Sequence, residues 1–260
     1  MAMRAALRKL VPSSARLAMA RALCSEPAGR VTGAVLRYRI RHQGLVFDTR
    51  DPAFLPTVRA AMLWGVHEGD ETRMIQRHLA GASQVVELGA SLGITGAHAV
   101  SALAADGRYV GVEANPALID PLRATLDDHR GTRAVTVVNA AISDVDGAQV
   151  DLVVGERPQD SHLASEEGGP GTTVAVPTLT LSGLLAAHDV ADGYALISDI
   201  EGAERYFIYD GSGALDGCRR LVIELHDNPA HSVEDMLDSL VSTHGFRVLD
   251  RRGVVVALGR

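Results

Sequence analysis

The sequence predicts an α/β fold with a mostly parallel, nucleotide-binding sheet, and three observations predict it. Short apolar runs at Gln84–Leu88, Arg108–Val112, Ala134–Val138, Tyr194–Ser198 and Leu221–Leu225 have the length and near-continuous hydrophobicity of strands covered on both faces. Behind the first two, apolar residues return at helical spacing: Ile94, Ala97, Val100, Leu103 and Ala104, then Leu118, Ile119, Leu122 and Leu126. The first junction is glycine-rich, with Gly89, Gly93 and Gly96 punctuating a tight turn. Strand, glycine turn and helix make the first βα unit of such a sheet.

At 260 residues and 47% hydrophobic content, the chain has room for one α/β domain, expected over residues 61–260, and an N-terminal extension over 1–60. A net charge of −7 gives no overall basic field, which argues against nucleic acid as a partner. Cys24 and Cys218 form no C-x-x-C pair, so neither a disulfide framework nor a zinc site is indicated, and no metal ligand set is expected. No apolar stretch has the length of a membrane span, and a reducing cytoplasm is the default compartment.

The chain opens on a basic segment. From Met1 to Arg41, nine lysines and arginines face the single acid Glu26. Leu7, Leu10 and Val11, then Leu17, Met19, Ala20 and Leu23, suggest helices interrupted at Pro12-Ser-Ser14, with Arg16 and Arg21 breaking any secretory apolar core. Two readings stand side by side: a peripheral membrane contact, and a helix packed on the domain edge or simply solvated. Leu45–Ala60 is expected to be irregular because of Pro52 and Pro56, and Glu68–Leu79 to be a helix feeding the first strand.

The glycine spacing bears on the ligand. A dinucleotide fingerprint reads G-x-G-x-x-G, whereas Gly89 and Gly93 stand four apart with Ala90 and Ser91 inside the turn. Glu87, two residues before Gly89, would repel a pyrophosphate but suits a ligand carrying an ammonium group. This E-x-G-x-x-x-G pattern resembles the first motif of S-adenosylmethionine (SAM) methyltransferases more than a NAD site. Glu113 ends the second strand 24 residues after Gly89, where doubly wound folds place an acid on ribose hydroxyls. Ala114 and Asn115 share that strand end, and Asn115-Pro116 reads as a helix start. Pro121 would sit inside that helix and kink it. Past the third strand, Ala141 and Ile142 are small or apolar enough to flank an adenine ring.

Further on, Ala148–Val154 and Thr172–Val176 read as an added strand pair around Gly168-Gly-Pro-Gly171. Ser232 and Asp235 open a capped helix with Val233, Met236, Leu237, Leu240 and Val241 on its apolar face. Gly245 ends it, and Phe246–Leu249 with Val254–Leu258 reads as a terminal antiparallel hairpin.

The most specific stretch is Asp199-Ile-Glu-Gly-Ala-Glu204. With the glycine turn, Glu113-Ala-Asn-Pro116, Asn139-Ala-Ala-Ile142 and Leu221–His226, it resembles the FkbM family of SAM-dependent methyltransferases over about Glu68–Leu225. Two departures stand out: Ser198 replaces the lysine usual in the family, and Ser182 replaces an aspartate. The resemblance implies a Rossmann-like class I methyltransferase fold, a mostly parallel seven-stranded sheet with a terminal antiparallel hairpin, and methyl transfer from SAM to a hydroxyl of a sugar, glycolipid or secondary metabolite. Asp199 is then the candidate for positioning or base and borders the cofactor; Glu201, two residues on, would share its side in an extended chain. His226 is the alternative base, since a free imidazole titrates nearer neutrality. Glu204 is expected in the first turn of the next helix, where capping is its ordinary role. Expected partners are a small-molecule or glycan acceptor and a second copy of the chain in a homodimer. The competing classes are a NAD-dependent enzyme and a SAM-binding but catalytically silent partner subunit.

Overall fold

The structure, a computed structural model, describes residues 22–155, 162–163 and 172–260. The expected helices around Leu7–Val11 and Leu17–Ala20, with their break at Pro12, and the Gly168-Gly-Pro-Gly171 loop lie outside these residues. Backbone contacts divide the chain into two compact units, the first ending at Gly69 and the second running Asp70–Arg260.

In the first unit, α1 (Glu26–Val35) is capped by Ser25, whose hydroxyl accepts from the Ala28 N–H. Leu45–Ala60 is not irregular as the prolines suggested. Arg39–His42 (β1) and Leu45–Asp48 (β2) pair across a two-residue turn in which Gln43 and Gly44 both take positive φ. Pro56 then opens α2 (Pro56–Trp64) at the first helical position, where its missing N–H costs no hydrogen bond. Arg59 on α2 is buried and donates to the Thr49 carbonyl at 2.8 and 3.0 Å, with Tyr38 beneath its guanidinium.

The second unit is built on a seven-stranded, mostly parallel sheet. Its strands are β3 (Gln84–Leu88), β4 (Arg108–Glu113), β5 (Ala134–Asn139), β10 (Ala195–Ser198), β11 (Arg220–Glu224), β12 (Arg247–Arg252) and β13 (Val255–Gly259). They lie in the order β12-β13-β11-β10-β3-β4-β5, parallel from β11 to β5 and antiparallel at the β13 and β12 edge. The chain therefore builds outward from β3 to β5, crosses back, and lays β10 on the other flank of β3. A reversal of strand order opens a crevice beyond the carboxyl ends, and here it falls between β3 and β10. Alternate residues feed two apolar layers: Val86, Leu88, Leu196 and Ile223 into one, Val85, Tyr109, Ile197 and Val222 into the other.

Helices α3 (Gly69–His78), α4 (Ile94–Ala102) and α5 (Ile119–His129) accompany the first half of the sheet. Gly96 lies inside α4 rather than in the turn. Pro121 costs no intrahelical hydrogen bond, because a 3-10 turn at Pro116–Leu118 precedes α5 and leaves the proline in the first turn of that helix, where N–H groups have no intrahelical partner. Between β5 and α6 (Leu181–Ala187) a small sheet is inserted, β6 (Ala141–Ile142), β9 (Thr172–Leu179), β7 (Gln149–Val154) and β8 (His162–Leu163). The short α7 (Arg205–Ile208) follows β10, and α8 (Val233–Ser242) opens with a full capping box between Ser232 and Asp235. Met236, Leu237 and Leu240 of α8 are buried as the periodicity predicts, while Val241 is exposed. Among the described residues, no helix is long and apolar enough to cross a membrane.

Cys218 is fully buried, and burial pushes its thiol up to about 12, against 9.0 for a free thiol. Because thiolate is the reactive form and Cys218 is fully buried, the native chain should alkylate at the half-buried Cys24 well before Cys218. Mass spectrometry after brief iodoacetamide treatment, with and without urea, checks this. Equal native labelling of both thiols would contradict the packing around Cys218.

Candidate active site

The glycine turn and the Asp199–Glu204 hexad meet at the crevice. Ser198 lies opposite Leu88 across β10 and β3, and the Asp199 N–H donates to the Leu88 carbonyl at 3.0 Å. Gly89 takes φ +81°, and a Cβ built there would stand 1.7 Å from the Asp199 carbonyl oxygen. Only glycine fits, both for the backbone angle and for the approach. The turn is held by its own groups: the Gly89 and Ala90 N–H groups both donate to the Val112 carbonyl at 2.9 Å, and Gly93 caps α4 with φ +77°.

Glu113 closes the turn from the neighbouring strand. Its carboxylate accepts from the Ser91 N–H at 2.8 Å and from the Asn115 N–H at 2.7 Å. Burial raises its pKa, and the Asn115, Ser91 and Ala114 N–H groups act in the opposite direction. Asn139 fastens the same strand end by donating to the Glu113 and Ala114 carbonyls at 2.8 and 2.9 Å. Ala141 and Ile142 are buried in β6, paired with Thr178 and Leu179. The structure thus brings Ser91, Glu113, Ala114 and Asn115 together and seats Ala141 and Ile142 just past β5.

Glu87 sits elsewhere than the spacing suggested. It is 1% exposed beneath α4, where the hydroxyls of Thr95 and Tyr109 donate to its two oxygens. Gly96 makes room for this contact, since a Cβ there would stand 2.6 Å from the Tyr109 hydroxyl and 2.7 Å from Glu87 Oε2. Burial, and then the Glu87 carboxylate, push the Tyr109 phenol far up, so it stays a neutral donor. Thr95 and Tyr109 were not foreseen; an acid followed at i+8 by threonine on a helix gives no sequence signal of its own.

Beyond Asp199 the chain does not stay extended. Glu201 has φ +51° in a tight turn, yet its carboxylate still reaches the same side chain as Asp199 does. That side chain is His226, at the end of β11. Its Nε2 lies 3.5 Å from Glu201 Oε2, 3.7 Å from Glu224 Oε1 and 3.8 Å from Asp199 Oδ1. Glu204 does not cap α7; it is fully buried, and its Oε1 accepts from His226 Nδ1 at 2.9 Å. The hexad spacing carries this partner as its last residue, but nothing in the sequence shows that His226 would come to it. Burial alone would lower the His226 pKa. The Glu204 hydrogen bond and charge, followed by the Asp199 and Glu201 charges, outweigh that and push it up to about 9. At neutral pH His226 is therefore an imidazolium, a donor rather than a base. Ser198, where the family resemblance expects lysine, is buried with a hydroxyl that makes no hydrogen bond among the described residues.

The donor set fits SAM in kind. Glu113 offers carboxylate lone pairs at the strand end expected for a ribose, and the acid-rich group at the ends of β10 and β11 complements a sulfonium.

Among solved structures, a methyltransferase from Geobacter sulfurreducens is similar at 12% identity over 99% of this chain and 93% of that one, with a TM-score of 0.44. A ribosomal protein L11 methylase from Lactobacillus delbrueckii subsp. bulgaricus gives 12% identity, 73% and 76% coverage and a TM-score of 0.44. A precorrin-6y C5,15-methyltransferase from Geobacter metallireducens gives 14%, 75% and 89%, and 0.42. No curated protein matches the chain. The methyltransferase FkbM domain matches residues 87–248, which takes in the glycine turn, the strand-end Glu113, the hexad and His226. The chain belongs to the FkbM methyltransferase family and is an S-adenosylmethionine-dependent methyltransferase.

Proposed function

We propose that the protein methylates a hydroxyl oxygen of a sugar, glycolipid or secondary metabolite, with Asp199 taking the hydroxyl proton. The observation that carries this reading is the seating of the Asp199 backbone on Gly89. It puts the turn that would hold the cofactor and the acid that would meet the acceptor at one crevice. Glu113, Ser91, Ala114 and Asn115 would hold the adenosyl portion, with Ala141 and Ile142 beside the base. Bound SAM supplies a methyl group on a sulfonium, a donor that needs little activation. The chain's part is then to align an oxygen and accept a proton. Asp199 is half-buried, with its side chain 38% exposed, so it remains reachable by an acceptor. His226, charged at neutral pH, donates toward Asp199 and Glu201 and steadies both carboxylates. Glu204 keeps the ring in place from behind. The net charge of −7 favours a small acceptor over nucleic acid.

Incubation with methyl-labelled SAM and fractionated cell extract tests the reading. Label should enter a glycan, lipid or small-molecule fraction as an alkali-stable methyl ether. Label confined to RNA or protein would overturn it. Glu113→Ala should weaken SAM binding by about tenfold to a hundredfold, as expected for lost charge-assisted hydrogen bonds. Calorimetry on the folded variant reads this directly, and unchanged affinity would remove Glu113 from the cofactor site.

A further inference from the structure

We propose that Asp199, Glu201 and His226 form a site for a divalent cation of the Mn2+ class. One donor atom from each lies within 4.8 Å of the other two. His226 Nε2 stands 3.5 Å from Glu201 Oε2 and 3.8 Å from Asp199 Oδ1. With metal–ligand bonds of about 2.1 Å, adjacent donors lie about 3 Å apart and opposite donors about 4.2 Å. Small side-chain rotations close the set to those spacings. Glu71 and Glu224 bring two more carboxylate oxygens within 4.8 Å of an Asp199 oxygen.

A second observation points the same way. Glu204 is fully buried, spends Oε1 on His226 Nδ1 at 2.9 Å, and has no hydrogen bond to Oε2 among the described residues. A buried carboxylate hydrogen-bonded at one oxygen only is costly, and here that one bond goes to the imidazole. Carboxylate pairing at one ring nitrogen is the arrangement that fixes a histidine to offer its other nitrogen to a metal. Here that other nitrogen is the one among the Asp199 and Glu201 oxygens. Among the described residues, no lysine or arginine forms an ion pair with Glu201, Glu204 or Glu224, so their carboxylates share the single imidazole of His226 and outnumber it. Carboxylate oxygens with one imidazole suit Mn2+ better than a soft, thiolate-seeking metal. Binding would release the second imidazole proton to solvent. Any part the cation plays in turnover rests on the hydroxyl methylation proposed above; its binding does not.

The test uses the full chain, stripped with chelator and dialysed, titrated with Mn2+ at neutral pH while free Mn2+ is followed by electron paramagnetic resonance. One Mn2+ per chain is expected. Glu201→Gln and His226→Gln should each weaken it by at least about tenfold, and Glu204→Gln by about tenfold to a hundredfold. Glu201 is half-exposed, so its variant keeps the fold even should the Glu204 variant lose it. Circular dichroism and thermal melting confirm that the variants are folded. No Mn2+ bound at millimolar concentration, or equal binding by the Glu201 and His226 variants, overturns the site. Failure to find methyl transfer leaves this titration unaffected, so the two readings fail separately.

Discussion

Asp199→Asn should lower turnover by a factor on the order of a hundred or more while SAM affinity changes far less. The substitution keeps the shape of the side chain and leaves the backbone carbonyl that rests on Gly89. It removes the capacity to take a proton. Glu113 and the glycine turn are untouched, so the cofactor contacts should persist. His226→Gln is the paired measurement. With its pKa pushed up to about 9, the imidazole is already protonated at neutral pH, so its loss should reduce alignment rather than proton acceptance. Turnover by both variants between pH 6 and 10, at saturating SAM, reads the difference. Abolished turnover in His226→Gln with an active Asp199→Asn would move the base to His226. Full activity in both would leave methyl transfer resting on alignment alone.

Gly89→Ala should strongly destabilise the fold. The new Cβ would stand 1.7 Å from the Asp199 carbonyl oxygen, a backbone atom that cannot swing aside, at a φ of +81° that alanine adopts only under strain. The two penalties together come to about 2–5 kcal/mol. Against a total stability of about 5–15 kcal/mol, that is a lowering of the melting temperature by about 4–20 °C. Calorimetry or circular dichroism on purified protein reads it. A variant that melts with the parent would mean that β3 and β10 do not approach as described.

The contrast between these two positions shows what a sequence carries. Strands, the glycine turn, the hexad and the capped α8 were legible because each rests on local chemistry: buried runs, a positive φ, a side chain bonding its own backbone. Leu45–Ala60 misled because a proline marks a break and a helix start alike, and only the β1 partner and the Pro56 position decide between them. The acids divided in the same way. Glu113 was placed by its strand end, whereas Glu87 drew attention by spacing and turned out to serve Thr95 and Tyr109 under α4. Glu204 read as a helix cap until β11 brought His226 against it. Such pairings join residues from separate elements, and their partners are set by topology rather than by periodicity.

The carbonyl of Asp199 resting on Gly89 has a thermodynamic consequence. Any ligand that shifts the turn also shifts the start of the hexad, and any acceptor that draws on Asp199 pulls back on the turn. On the proposed roles of the turn and of Asp199, cofactor and acceptor share a coupling free energy, and reciprocity requires that each change the other's affinity by the same factor. Acceptor screening on cofactor-free protein would survey a surface different from the one that turns over, so a sulfonium analogue or the demethylated cofactor should be present throughout.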